Sequence, residues 1–129
     1  MRSFAELTEK SVAEAEVSGN VFRAAWGSLS LALWEYRLGH DEQAEFWSRR
    51  CLNYPDVNAP RAATVYTILA MACHRTGRID EAREALATGR EIVETKGRNL
   101  ADVGTPVQGF WFDWAFARIL LRECAAMVE

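Results

Sequence analysis

The sequence predicts an all-α fold of about six helices, arranged as a short stack of antiparallel hairpins, and two observations carry that expectation. Leu31-Ala32-Leu33, Arg37, Gly39 and Ala44 return as Leu69-Ala70-Met71, Arg75, Gly77 and Ala82, each 38 positions further on. On both sides of Gly39 and of Gly77, apolar residues recur at spacings of three and four, the period of one helix face. Each glycine therefore divides two helices that fold back on one another. Self-similarity at periods of about 20–50 residues marks stacked repeat units, which bury between neighbours what one hairpin cannot bury alone.

The first helix is expected over residues 3–18. Ser3 is its N-cap, Glu6 completes a capping box, and Gly19 suits the left-handed conformation that ends it. Phe4, Leu7, Ser11 and Ala15 share its apolar face, and the shortage of large residues places it over one end of the stack. The second helix, residues 20–38, carries Phe22, Trp26, Leu29, Leu33 and Tyr36 on one stripe. Leu31, Ala32 and Trp34 extend that surface, so neighbours are expected on more than one side. After Gly39, Asp41 caps a third helix to Asn53, with Ala44, Phe46, Trp47 and Cys51 inward.

Residues 54–60 contain Pro55 and Pro60 and read as a loop, with Pro60 opening a fourth helix to Thr76. Val65, Tyr66, Leu69, Ala70, Ala72 and Cys73 are its packing residues. Gly77 turns the chain again. Asp80 begins a fifth helix, with Ala82, Leu86, Ile92 and Val93 inside, which ends near Lys96-Gly97. Residues 98–109 hold Gly104, Pro106 and Gly109 and read as irregular. The last helix spans residues 110–128, and its aromatic residues surround the axis instead of forming one face. Such a helix needs cover on two sides, from its own domain or from another chain. The chain is thus one domain, 1–129: a first helix (1–19), two repeats (20–55 and 60–97) and an aromatic C-terminal segment (107–128).

Composition narrows the classes of function. Half of the 129 residues are apolar and 26% are charged, which fits a folded domain and not a disordered one. A net charge of -3 argues against nucleic acid or an anionic membrane surface as partner. No apolar run is long enough to span a bilayer, and residues 1–17, with Glu6, Glu9, Glu14 and Glu16, lack the pattern of a secretory signal. Cys51, Cys73 and Cys124 are odd in number and widely spaced, so reduced thiols and a cytoplasmic location are expected.

The repeat resembles the tetratricopeptide family. Tyr66, Leu69, Ala70, Cys73, Gly77, Ala82 and Leu86 fall at that family's spacings, and the first copy keeps Leu31, Ala32, Gly39, Ala44 and Pro55. The 38-residue offset exceeds the family's usual 34 or so, a difference that the loop at Pro55–Pro60 accommodates. Leu69 to Arg75 with Gly77, then Trp114 and Leu120-Leu121-Arg122-Glu123, also looks like the tetratricopeptide tails of some bacterial multidomain serine/threonine kinases. The kinase glycine loop and catalytic aspartates are absent, so that likeness implies the accessory module alone.

The resemblance implies a right-handed superhelical array whose first helix of each pair lines a concave, partner-binding surface. Carried over residue by residue, that surface comprises Trp26, Leu33, Tyr36 and Arg37 from one copy and Thr67, Met71, His74 and Arg75 from the other. Arg37 and Arg75 suit a carboxylate or an acidic peptide. Leu29, Leu33, Thr67 and Met71 occupy the positions where carboxylate-clamping relatives carry asparagine and lysine. The competing arrangement has the last helix lying along this groove and filling it. Trp111, Phe112 and Phe116 are the candidate self-interface of a homodimer.

Nothing in the pattern announces chemistry. His40 and His74 are the only histidines, and no Cys-x-x-Cys, His-x-x-x-His or Glu-x-x-His pair offers metal-ligand spacing. Asp80-Glu81 opens a helix, where negative charge favours the dipole. The expectation is a non-catalytic interaction module without metal or cofactor, whose partner is a protein, a peptide or a second copy.

Overall fold

A computed structural model describes residues 3–55, 58–97, 109 and 111–129. These form six helices: α1 (Phe4–Ser18), α2 (Val21–Arg37), α3 (Asp41–Leu52), α4 (Ala59–Arg75), α5 (Ile79–Lys96) and α6 (Trp111–Val128). No strand occurs among the described residues, so the all-α class and the helix count agree with the sequence. Gly104, Pro106, Phe110 and most of the stretch expected to be irregular lie outside the described residues.

The duplication is repeated in the geometry of its turns. Gly39 and Gly77 have φ of 84° and 85°, a left-handed conformation that costs a side-chain-bearing residue free energy. His40 and Arg78 follow with φ/ψ of -90/74° and -91/74°. In both turns the glycine amide donates three residues back, to Tyr36 or His74, and the next amide reaches Glu35 or Cys73. These bonds satisfy carbonyls that the helix end leaves open. Such short connections make α2/α3 and α4/α5 antiparallel hairpins. Ala32 and Ala44 in one hairpin and Ala70 and Ala82 in the other are all fully buried, as close helix approach requires.

α4 is the centre of the molecule, packing on α2, α3, α5 and α6 and burying residues on every side. That position explains why its apolar and small residues encircle the axis. α1 packs on α2 alone among the stronger helix contacts. Between the hairpins α4 leans more on α3 than on α2, whereas α6 leans more on α4 than on α5. The last helix therefore rolls onto α4 instead of repeating the step from α2 to α4.

Three local expectations are corrected. α1 turns Val12 and Ala15 inward and leaves Phe4 and Leu7 about half exposed, because Val12 inserts at Gly27, where any Cβ would lie 2.6 Å from its methyl. Asp41 is the first residue of α3 rather than its cap; His40 holds the cap position without a side-chain capping bond, and the Asp41 carboxylate goes to Arg75. Phe46 points outward, 54% exposed. The Ser3 cap does form, its hydroxyl accepting the Glu6 amide at 3.2 Å, and Pro60 sits in the first turn of α4.

Candidate functional site

The residues expected to line a groove divide into a buried set and an exposed set. Thr67 and Met71, from α4, are fully buried, and the Thr67 hydroxyl donates to the Thr64 carbonyl. Tyr36 is 3% exposed and donates weakly to the Met127 sulfur of α6, 3.8 Å away. Burial pushes its phenol above the ordinary value, with Arg75 pulling the other way. The Arg75 guanidinium lies 3.9 Å from the Tyr36 ring centre, donates to the Asp41 carboxylate and reaches the Tyr36 carbonyl at 2.7 Å. Arg37 makes a two-pronged bond to Glu123 of α6, at 2.7 and 2.9 Å.

Arg37 and Arg75 are thus engaged with carboxylates of the chain itself. Glu123 and Met127 bring the C-terminal half of α6 against the end of α2. Trp26 and Leu33 remain partly exposed, and Trp26 lies under the Arg61 guanidinium, 5.5 Å from its ring centre. His74 is half-buried, and its Nδ1 has no hydrogen-bond partner among the described residues.

α6 is apolar on two opposite faces. Trp114, Ala117, Leu120, Cys124 and Val128 are buried against the body. At 100° per residue, Trp111, Phe112, Ala115, Phe116 and Ile119 share an arc of about 140° on the other side. On that arc Trp111 is 69% exposed, Phe112 53%, Phe116 38% and Ile119 61%. The expected self-interface residues Trp111, Phe112 and Phe116 therefore share one arc, and Ile119, which was not among them, completes it. Its spacing from Phe112 and Phe116, seven and three residues, was the available signal.

A second cluster had no counterpart in the motifs. Glu45 of α3 accepts from Arg78 and Arg49, and Glu81 of α5 accepts from the same two arginines, tying α3 to the α4/α5 turn. With the Cys73 thiol, these carboxylates place three donor atoms within 4.8 Å of one another. Two guanidiniums already offset both carboxylates, and burial raises the Cys73 pKa, so the cluster is built as an ion-pair network. Arg78, with Arg49, holds the Glu45 carboxyl down to a pKa of about 2. A depressed carboxyl stabilises the fold above its unfolded pKa, near 4.5, and the contribution disappears as pH falls toward 2. Glu45→Gln is expected to remove about 1 kcal/mol at neutral pH and to flatten the fall of Tm between pH 5 and 3, roughly the window of carboxylate titration. An unchanged slope in the variant would exclude this assignment.

Burial disfavours the thiolate form of Cys73 and Cys124. Cys51, Cys73 and Cys124 are buried and form no disulfide among the described residues, and burial pushes Cys124 up to about 12. Clefts of about 280 to 340 Å³ lie beside Cys73, beside Tyr54 and Glu16, and beside Arg61 and Tyr66, near the lower limit for small-molecule sites. No helix among the described residues is long and apolar enough to cross a membrane. Compared with known proteins, the chain matches no family model, no curated protein and no solved structure.

Proposed function

We propose that this chain is a non-catalytic protein-interaction module of tetratricopeptide-like hairpins, and that its main docking surface is the outward face of α6. The observation that supports this reading is the exposure of Trp111, Phe112, Phe116 and Ile119 on one arc of α6. Contiguous exposed apolar patches mark interaction sites. The partner is a protein or peptide, in keeping with the net charge of -3.

A second reading keeps the partner on α2. Phe22 is 61% exposed there, Trp26 and Leu33 are partly exposed, and the stripe ends at Arg37. A helical peptide laid beside α2 would use that stripe, with the Arg37–Glu123 bridge closing one end. The two surfaces separate in one capture experiment. Ile119→Asp is expected to abolish recovery of bound protein while Phe22→Asp leaves it intact; the reverse pattern would move the site to α2. Recovery unchanged in both variants would defeat the two readings together.

A further inference from the structure

We propose that the outward face of α6 pairs with the same face of a second copy of this chain, the two helices antiparallel about a two-fold axis between Ala115 and Phe116. This rests on the interaction-module reading and specifies its partner. The two ends of the helix stack differ in chemistry. α1 covers one end with Glu6, Glu9, Lys10, Glu14 and Glu16 on its exposed positions, whereas α6 carries no ionisable residue on its outward arc between Trp111 and Ile119.

Size and register both favour self-pairing. At their exposures, the four large side chains present about 450 Å² per protomer, taking roughly 200 Å² for each complete side chain. Two such faces with their rims reach the lower bound for specific complexes, about 1,200 Å² in total. An axis between Ala115 and Phe116 sets Phe112 against the partner's Ile119. It also sets Phe116 beside the partner's Phe116 on one side of the axis and Ala115 beside the partner's Ala115 on the other, and a two-fold repeats each contact. Arg122, which forms no ion pair among the described residues, then comes within reach of the face of the partner's Trp111. Glu123 stays with Arg37 at the margin.

The test uses the full chain with Ala115→Cys, and Ala126→Cys as control; the native cysteines are 4% exposed or less. In the proposed register the two thiols introduced by Ala115→Cys flank the axis, whereas those introduced by Ala126→Cys are on the order of 30 Å apart. Light scattering is expected to give a dimer for the native chain and a monomer for Ile119→Asp with unchanged helical circular dichroism. Mild oxidation is expected to cross-link Ala115→Cys and not Ala126→Cys. A dimer that cross-links through Ala126→Cys, or not through Ala115→Cys, overturns the register. A native monomer overturns self-pairing. If that monomer binds anilinonaphthalene sulfonate and Ile119→Asp does not, the docking face survives and its occupant is another protein; no difference in dye binding removes the face as well.

Discussion

Replacing Trp114 with alanine is expected to lower the stability of the domain by about 3–5 kcal/mol, the range for deleting a buried indole. The ring is 2% exposed and packs with Ala59, Ala63, Val93 and Ala117, small residues that cannot close over the space it leaves. Its edge lies 3.2 Å from where a Cβ on Gly97 would sit, so it also fixes the end of α5. Trp114→Phe supplies the control. The indole nitrogen has no hydrogen-bond partner among the described residues, so losing it leaves no protein acceptor unmet, and a cost near 1 kcal/mol is expected. Urea denaturation measures both. An alanine variant within about 1 kcal/mol of the native chain would mean that α6 is not held by this ring.

The same helix shows how far the sequence carried and where it stopped. Periodicity marked α6 as apolar on more than one side, but it could not say which aromatic residue pointed inward, because Trp111, Phe112, Trp114 and Phe116 are interchangeable by hydrophobicity alone. The choice of Trp114 follows from the small residues of α4 that receive it. The hairpins were legible because a repeated glycine imposes a backbone conformation and repeated alanines impose a close approach, both local demands. The face of α1 was not, since Val12 points inward only because Gly27, 15 positions away, leaves room for it.

The exposure of the candidate surface residues was not legible in the sequence. Arg37, Tyr36 and Arg75 do lie together, but their partners, Glu123, Met127 and Asp41, come from other helices. The Arg78–Glu45 network was illegible for the same reason: 33 residues separate its members, and charged residues on solvated faces carry no pattern that distinguishes a paired carboxylate from a free one.

Met71→Ala is expected to destabilise the fold by about 2–5 kcal/mol, and Met71→Glu to prevent folding at neutral pH, because an ionised carboxylate there would have no compensating charge. The side chain is fully buried in the principal core. Met71→Ala, read together with Arg37→Ala, separates two roles for the α2/α4 face. If Met71 is core, stability falls and any loss of partner binding follows the unfolded fraction through the denaturation curve. If α6 instead lifts away to admit a ligand onto Met71, the alanine variant would weaken binding at temperatures where it remains folded, and Arg37→Ala, which breaks the bridge to Glu123, would strengthen it. That bridge is half exposed and worth at most about 1 kcal/mol, so it does not by itself hold α6 down. The apolar inner face of α6 does: lifting it would bring Trp114, Leu120 and Cys124 into water together, a cost that an ordinary peptide contact on Met71 would have to exceed.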